Sequence, residues 1–321
     1  MALRFTLRHL EYFVAVGEAG SIAQASEKVN VSSPSISAAV AQLEREFGLP
    51  LFVRKHAHGL SLTQAGRQFL TQARKVLTEA EALNRLAGDI SGNVQGPLSI
   101  GCLISFAQVL LPPLRRRFET EYSDVSITQR EMHQMEIFDK LRRAEIDVAL
   151  SYDLDIPADL EFIPLRRLPP YVMVGEAHPL AQKSVVSLED LNGQPMILLD
   201  LPHSSDYFLS FFHKTGIKPN VAERTRDLAV LRGMVANGFG YSIANMRLHS
   251  DLSPAGRRLK FIPLSGNVRH LRMGLVLAEG TKNILTVRAF IEHCAALVAE
   301  WEFPGKPISE GQIRSVSPVV E

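Results

Sequence analysis

The chain contains 321 residues, of which 46% are hydrophobic and 21% charged, and its formal net charge is +1. Because this length exceeds one ordinary domain, we expect two or three units that each bury a core. No apolar stretch approaches the length that a bilayer requires, which excludes a membrane protein, and charges interrupt residues 1–9, where a signal peptide needs a continuous apolar run. The sequence therefore predicts a cytoplasmic protein.

Metal and redox sites are not predicted. Cys102 and Cys294 are the two cysteines, too few for a zinc cluster, and His56 and His58 have no further ligands nearby. We expect both cysteines to be buried as small apolar residues. The alternative, a redox pair, requires thiols that are reachable and close together. The sequence predicts no cofactor.

Basic residues are concentrated at the start of the chain. Residues 1–75 contain nine lysines and arginines against five glutamates, an excess of four, although the whole chain is nearly neutral. An uneven distribution of this kind is typical of a protein with one DNA-contacting end.

Three amphipathic helices are predicted in this basic region. The first covers residues 6–18, the second begins after Ser21 and ends at Asn30, and the third begins with Ser33 as its N-cap and Pro34 in its first turn. Two helices joined by about four residues, the second of them longer, form a helix-turn-helix whose second helix enters the major groove. A helical hairpin within a larger core would have the same periodicity.

A wing is predicted beside the third helix. Residues 51–63 have the pattern of two short strands with a charged tip, and the outer side of the helix carries short polar side chains that can reach base edges. The outer side of the helix presents Ser33, Ser37, Ala38 and Gln42, and the charged tip of the wing contains Arg54, Lys55 and His58.

A long helix is predicted to follow from Thr63. Its apolar residues alternate spacings of four and three, which is a heptad pattern, and they are Phe69, Ala73, Val76, Ala80, Leu83, Ala87 and Ile90. The pattern favours pairing with a second copy of the helix, and the alternative is packing on its own domain. Glycine and proline between Ser91 and Pro97 end the helix and mark a domain boundary.

The remainder alternates strand and helix patterns, which predicts an α/β fold with a mostly parallel sheet. The predicted strands lie at 98–103, 125–131, 146–151, 171–175, 196–199, near 221, at 241–243 and at 272–277. The predicted helices lie at 108–122, 137–143, 205–216, 227–237 and 281–301.

Motifs in both halves resemble the LysR-type transcriptional regulators. Segments similar to their DNA-binding domain are Leu7–Val16, Ser21–Ser26, Ser33–Ser37, Leu43–Glu44, Leu51–Arg54 and Leu62–Gly66. Segments similar to their effector domain are Leu98–Gly101, Leu111–Pro112, Ile146–Leu150, Val174–Leu180 and Val235–Gly240.

The resemblance implies a fold with four parts. They are an all-α winged helix-turn-helix domain at residues 1–63, a linker and dimerisation helix at 64–92, a two-lobed α/β effector-binding domain at 93–302 that resembles periplasmic binding proteins, and a tail at 303–321. Lobe one comprises residues 97–168 and 268–302, and lobe two residues 169–267. The resemblance also implies a homodimer or homotetramer, because linker helices of this family pair two subunits.

The resemblance implies that Ser33, Pro34 and Ser37 lie at the DNA, with Arg54 and the wing tip on the phosphate backbone or in the minor groove. Two features depart from the family pattern. The family usually has glutamine before the proline and arginine after the second serine, where this chain has Ser33 and Ala38. Near the wing tip, where the family usually has arginine, this chain has Ala57 and His58. We therefore expect DNA readout to differ from that of relatives.

The resemblance also implies an effector site. In such folds ligands bind beyond the carboxyl ends of strands, next to helix N-termini that favour anions. The predicted effector-binding residues are Ser105, Phe106, Gln134, Tyr152, His203, Ser204 and Ser205. The alternative is helix capping for the serines and hinge packing for Tyr152. A small polar or anionic organic effector fits these residues, and no fixed basic residue of the cleft is identified.

The predicted function is transcription regulation through DNA binding under effector control. A second hypothesis is a solute-binding protein with a helical appendage, which the missing export signal and the heptad helix disfavour. A third is an enzyme with Ser105 or Ser204 as nucleophile and His203 as base. No Gly-x-Ser-x-Gly or nucleotide-binding motif accompanies these residues, so no catalytic residue is predicted.

Overall fold

The computed structural model describes residues 4–55, 59–213 and 215–300, and of eight residues in those ranges it describes only the backbone: Arg54, Lys55, Glu81, Asn84, Arg85, Ala87, Asp89 and Ser91. Contacts divide the chain into two units, Met1–Ser91 and Gly92–Glu321. Within the described ranges no helix has the length and apolar character needed to cross a bilayer.

The first unit contains four helices and a β-hairpin. In chain order they are α1 (Leu7–Ala19), α2 (Ile22–Val29), α3 (Ser33–Phe47), β1 (Phe52–Lys55), β2 (Gly59–Leu62) and α4 (Gln64–Ser91). β1 and β2 pair in antiparallel register, with Phe52 opposite Leu62 and Lys55 opposite Gly59.

The helix ends follow local capping chemistry. The Thr6 hydroxyl accepts a hydrogen bond from the His9 N–H, and His9 Nδ1 accepts one from the Thr6 N–H, which together form a capping box at the start of α1. Gly20, Asn30 and Gly48 adopt left-handed conformations at the ends of α1, α2 and α3. The predicted end of the second helix at Asn30 is therefore confirmed.

One predicted cap is wrong by one residue. The N-cap of α3 is Ser32, and Ser33 is already the first helical residue, followed by Pro34. Ser32 Oγ lies 2.8 Å from Ser35 Oγ and makes no capping bond to the backbone.

The core of this unit lies among α1, α3 and α4. Phe13 is fully buried, and its ring packs against Phe52 of β1 and Phe69 of α4 at centroid distances of 5.4 and 5.3 Å. The Glu44 carboxylate accepts backbone hydrogen bonds from Leu51 at 2.7 Å and Phe52 at 3.2 Å, which fixes the hairpin to the end of α3.

The second unit contains ten further strands and six helices among the described residues. The first are β3 (Gly96–Leu103), α5 (Ile104–Ala107), α6 (Leu111–Glu121), β4 (Val125–Met132), α7 (Gln134–Arg142), β5 (Val148–Tyr152), β6 (Leu160–Leu168) and β7 (Tyr171–Gly175). The others are β8 (Pro195–Leu199), α8 (Ser204–Ser210), β9 (Asn220–Thr225), α9 (Leu228–Ala236), β10 (Ser242–Ala244), β11 (Leu259–Pro263), β12 (Leu271–Ala278) and α10 (Leu285–Glu300).

The strands of this unit form two groups. One is a five-stranded sheet of order β4-β3-β5-β12-β6, in which β4, β3 and β5 are parallel and β12 is antiparallel to both neighbours. The other comprises the antiparallel sheet β10-β7-β11 and the parallel pair β8-β9. We call these groups, with their helices, lobe one and lobe two. The chain passes between them twice, from β6 to β7 through a first crossover, residues 169–170, and from β11 to β12 through a second, residues 264–270.

Several sequence expectations are corrected by these bounds. The sheets are mixed rather than mostly parallel, and β6 and β11 were not predicted. The helix expected at 205–216 ends at Ser210. The helix expected at 108–122 begins at Leu111, because prolines occupy its first turn and favour that position. The final helix begins at Leu285, after a 3-10 segment at Thr281–Asn283.

Candidate functional site

The outer face of α3 is polar and open. Its buried side chains, Ile36, Ala39, Val40 and Leu43, face the core of the first unit. The other face exposes Pro34, Ser35, Ser37 and Ala38, with Ser33 half-buried at its edge. Short side chains leave the helix backbone accessible to a partner, so this face can lie close against a nucleic-acid groove.

The other residues predicted to contact DNA are placed differently. The Gln42 amide donates a hydrogen bond to the Arg4 carbonyl at 2.8 Å, so its N–H group is engaged within the domain. Arg54 and Lys55 belong to β1, opposite Leu60 and Gly59, but their side chains lie outside the description. His58 is outside the described residues altogether. Their contacts with DNA remain predictions.

A cavity lies between lobe one and lobe two. It encloses about 860 Å³, part of it open to solvent. The apolar part of its wall consists of Leu103, Ile104, Leu199, Leu201, Pro202, Phe208, Leu228, Ala244, Met246 and Leu271. The polar part consists of Ser105, His133, Gln134, Tyr152, Ser204, Tyr207, Arg226 and Asn245. A largely apolar wall with a few polar groups is typical of a site for a small organic molecule.

Four of the predicted effector residues line this cavity: Ser105, Gln134, Tyr152 and Ser204. Two of them are connected, because the Gln134 amide donates to the Tyr152 carbonyl at 3.3 Å; it also donates to the Leu154 carbonyl at 2.6 Å. Burial raises the pKa of Tyr152 against the lowering effect of the Ser105 hydroxyl, so the phenol stays neutral.

The other three predicted effector residues do not line the cavity. Phe106 is fully buried and packs on the Tyr152 ring at 4.5 Å, so it supports the wall from behind. Ser205 Oγ donates to the Leu201 carbonyl at 3.3 Å. His203 is the third, and its side chain has partners in the opposite lobe.

His203 connects the two lobes beside the cavity. From the start of α8 in lobe two, its Nδ1 lies 2.7 Å from Asp155 Oδ2 and its Nε2 lies 3.0 Å from Met135 Sδ, both in lobe one. His203 and Asp155 also have positive φ angles, 63° and 43°, which residues other than glycine rarely adopt.

Sequence reasoning missed four polar residues of the cavity, namely His133, Tyr207, Arg226 and Asn245. Arg226 is the one lysine or arginine on the wall among the described residues, and no described wall residue is an aspartate or glutamate. A signal for Asn245 was present, because it directly follows β10, and ligands of α/β folds bind where strands end. Arg226 follows β9, whose end was not predicted.

The described cysteines do not meet the requirement for a redox pair. Cys102 and Cys294 are free thiols and both are buried. Burial raises the pKa of each thiol, with a further contribution from Glu131 for Cys102 and from Cys102 for Cys294. The nucleophilic thiolate is therefore suppressed. In the described ranges no group of three or more histidines, cysteines and acidic residues could bind a metal.

Comparison with known proteins covers both units. The family described as "Bacterial regulatory helix-turn-helix protein, lysR family" matches residues 7–67, and the "LysR substrate binding domain" matches residues 91–299. The "Hydrogen peroxide-inducible genes activator" of Haemophilus influenzae is 30% identical over 277 residues, which are 86% of this chain and 91% of the relative.

Solved structures agree with the sequence relatives. HinK, a LysR family transcriptional regulator from Pseudomonas aeruginosa, is 34% identical, with a TM-score of 0.61 over 92% of this chain and 99% of HinK. Full-length CbnR, solved in complex with its target DNA, shares the fold at 24% identity, with a TM-score of 0.66 over 91% of this chain and 99% of CbnR. The predicted family and fold class are confirmed: this chain belongs to the LysR family of DNA-binding transcriptional regulators, with an effector-binding domain after its helix-turn-helix.

Proposed function

We propose that the chain acts as a dimer that reads DNA with α3 and the β1–β2 wing, and that a small polar or anionic organic effector in the cavity controls it. The observation that carries the first part is the open polar face of α3, where Ser37 and Ala38 are exposed above a buried apolar face. For a bacterial regulator this activity belongs in the cytoplasm, next to the chromosome.

The proposed boundaries follow the family pattern. Residues 1–63 form the reader, 64–92 the linker helix, 93–302 the effector-binding domain and 303–321 a tail. Support comes from α4, which begins at Gln64 and ends at Ser91, and from the division of the chain after Ser91.

Dimerisation through α4 is supported by its exposed apolar side chains. Leu83, Leu86 and Ile90 are 68%, 53% and 79% exposed, which is unusual for large apolar residues that recur along one helix. Pairing with a second copy would remove this surface from water.

We infer that the chain is not an enzyme. The hypothetical base His203 has both ring nitrogens engaged by Asp155 and Met135, and among the described residues no hydrogen bond joins it to Ser105 or Ser204. A serine nucleophile would require a base within hydrogen-bonding distance. The helix-turn-helix match over residues 7–67 disfavours a solute-binding protein.

The test is binding of the full-length protein to the DNA upstream of its own gene, measured by fluorescence anisotropy at several salt concentrations. We expect specific binding that weakens at least about tenfold between 50 and 200 mM salt, because phosphate contacts release counterions. Absence of DNA binding, or turnover of a metabolite, would contradict the proposed function.

A charge on the α3 face tests which surface reads DNA. Ser37→Glu places a carboxylate against the phosphates and base edges, so we expect affinity to fall by about tenfold or more. Ser184→Glu is the matched control, because Ser184 is exposed in the second unit. Equal affinities of the two variants would show that another surface contacts the DNA.

A further inference from the structure

Asn245 lies in the wall of the cavity, immediately after β10 of lobe two. It is 6% exposed, and its side-chain amide nitrogen, Nδ2, donates two hydrogen bonds. One goes to the Leu168 carbonyl at 2.8 Å and the other to the Tyr207 hydroxyl at 3.1 Å. Both N–H groups of the amide are therefore engaged.

The orientation of this amide follows from its partners. The Leu168 carbonyl can only accept, so it must face Nδ2 and not Oδ1. Tyr207 donates its hydroxyl hydrogen to the Arg269 carbonyl at 2.7 Å, so its oxygen is free to accept from Asn245. Burial raises the pKa of Tyr207 and keeps this hydrogen in place.

The remaining atom, Oδ1, is buried and has no hydrogen-bond partner among the described residues. A buried acceptor without a donor is costly, and Oδ1 can be satisfied only by a group that donates. Because Asn245 lines the cavity, a molecule bound there can supply that donor.

We propose that the effector donates a hydrogen bond to Oδ1 of Asn245, and that Asn245 transmits this contact to both crossovers between the lobes. The inference rests on the proposed function, in which the cavity holds the effector. It adds the chemistry of the effector and the route by which its binding alters the lobes.

The route is given by the two carbonyl groups at the end of the hydrogen bonds. Leu168 is the last residue of β6, directly before the first crossover, and Arg269 lies within the second. Less than 1 Å² of Oδ1 is accessible, so a donor reaches it only if the wall yields slightly. Movement of Asn245 changes its bonds to Leu168 and Tyr207 together. Effector binding and the crossover geometry are then coupled equilibria.

The wall also indicates the rest of the effector. Arg226 is its one lysine or arginine among the described residues, and acidic wall residues are absent from the same ranges. Most of the remaining side chains are apolar. The effector is therefore a small, largely apolar organic acid, with its carboxylate toward Arg226 and a hydroxyl or amino group that donates to Asn245.

The binding test uses matched acids and calorimetry on the full-length protein. The probes are the three hydroxybenzoates and the three methylbenzoates, together with 6-hydroxyhexanoate and heptanoate, so that each hydroxyl is compared with a methyl group of similar size. We expect at least one hydroxy acid to bind about tenfold or more tightly than its methyl counterpart. The proposal is overturned if no hydroxy acid binds, or if the methyl acids bind equally well.

Variants of Asn245 show whether this residue makes the discrimination. In Asn245→Leu the preference for the hydroxy acid should fall to less than about threefold, because the acceptor is gone. Asn192→Leu, the same change at an exposed position of lobe two, should keep the full preference. Discrimination that survives in Asn245→Leu would assign it to another residue and contradict the proposal.

A second pair of variants tests the transmission. Tyr207→Phe removes the bond to Arg269 and keeps Oδ1, and Asn245→Asp keeps an acceptor and removes the amide donor. For either folded variant we expect the hydroxy acid to bind while its effect on DNA affinity is lost. An unchanged effect on DNA affinity would overturn the transmission. Because calorimetry needs no DNA, failure of the wild-type protein to bind DNA would contradict the proposed function without deciding the Asn245 contact.

Discussion

At the scale of single residues, Gly66 decides how α4 meets the hairpin. A Cβ atom at this position would lie 2.1 Å from the Leu51 carbonyl oxygen. The Thr63 hydroxyl holds the same junction, since it accepts from the Gly66 N–H and donates to the Pro50 carbonyl, both at 2.8 Å. The limiting contact is with the backbone of Leu51, which cannot move aside as the end of a side chain can.

We expect Gly66→Ala to lower the free energy of unfolding of the first unit by about 1–3 kcal/mol, because the junction must open for one methyl group. Chemical denaturation followed by circular dichroism measures the change. Gly233→Ala is the control, since an added Cβ in α9 meets nothing within 4 Å and alanine favours a helix by up to about 1 kcal/mol. Similar losses in both variants would refute the steric explanation.

The residues of the cavity were only partly predictable. Ser105, Gln134 and Tyr152 lie at or just after the ends of strands that the sequence predicts, and all three line the cavity. The positions of Asn245 and Arg226 on the cavity wall depend on strand pairing between distant segments, which local sequence patterns do not encode. His203 contacts Asp155 of lobe one and does not line the cavity, which likewise depends on how the lobes face each other.

At the scale of elements, Glu18 connects three helices of the first unit. From α1 its carboxylate lies 2.6 Å from Lys28 Nζ of α2 and 2.9 Å from an Arg74 guanidinium nitrogen of α4. Burial raises the pKa of Glu18, but the hydrogen bonds and charges of Lys28 and Arg74 outweigh it and leave the pKa below its usual value. The charged form is therefore favoured by folding.

The stabilisation by Glu18 should depend on pH in a defined direction. Because folding lowers the pKa of Glu18, its stabilisation is complete when the pH is above the pKa of the unfolded chain, near 4.5. The stabilisation is lost as the pH falls through the lower pKa of the folded protein. We expect Glu18→Gln to cost about 0.5–1 kcal/mol at pH 7, allowing for its exposed partners, and almost nothing near pH 3. Denaturation curves at several pH values measure the difference.

The control is Glu11→Gln, because Glu11 is exposed on the same helix and has no ion pair among the described residues. It should leave the stability at pH 7 unchanged within about 0.5 kcal/mol. If the effect of Glu18→Gln were the same at pH 3 as at pH 7, packing of the side chain and not its charge would explain the loss.

Helices were easier to predict than strands for a physical reason. Gly20, Asn30 and Gly48 end helices through their own backbone preferences, so the signal is local. β6 contains Pro164 and two adjacent arginines and lies at the edge of its sheet, where proline is tolerated. Its strand conformation is imposed by pairing with β12, where Leu271 lies opposite Leu168 although the two are 103 residues apart in sequence. The residues of β6 alone therefore do not predict a strand.

At the scale of the whole molecule, α4 has two different environments. Phe69, Leu70, Ala73 and Leu77 in its first half pack into the core of the first unit. Leu83 and Ile90 in its second half are exposed. The alternative that the heptad pattern packs on its own domain thus describes the first half, and the second half is available for pairing with another subunit.

We expect the double variant Leu83→Glu/Ile90→Glu to be monomeric at concentrations where the wild-type protein is dimeric, because paired helices would bury two carboxylates from each subunit. Sedimentation velocity measures the mass. Affinity for a two-site operator should then fall by about 100-fold or more, since two readers no longer bind as one ligand.

Thr71→Glu is the matched control for the double variant. Thr71 is exposed on α4 and lies two residues from both Phe69 and Ala73, so it points away from the face that carries the heptad residues. It should remain dimeric and bind the operator with unchanged affinity. A double variant that stayed dimeric would place the subunit interface outside α4. A monomeric double variant with full operator affinity would mean that one reader is sufficient, and the linker helix would then have no part in setting the distance between two half-sites.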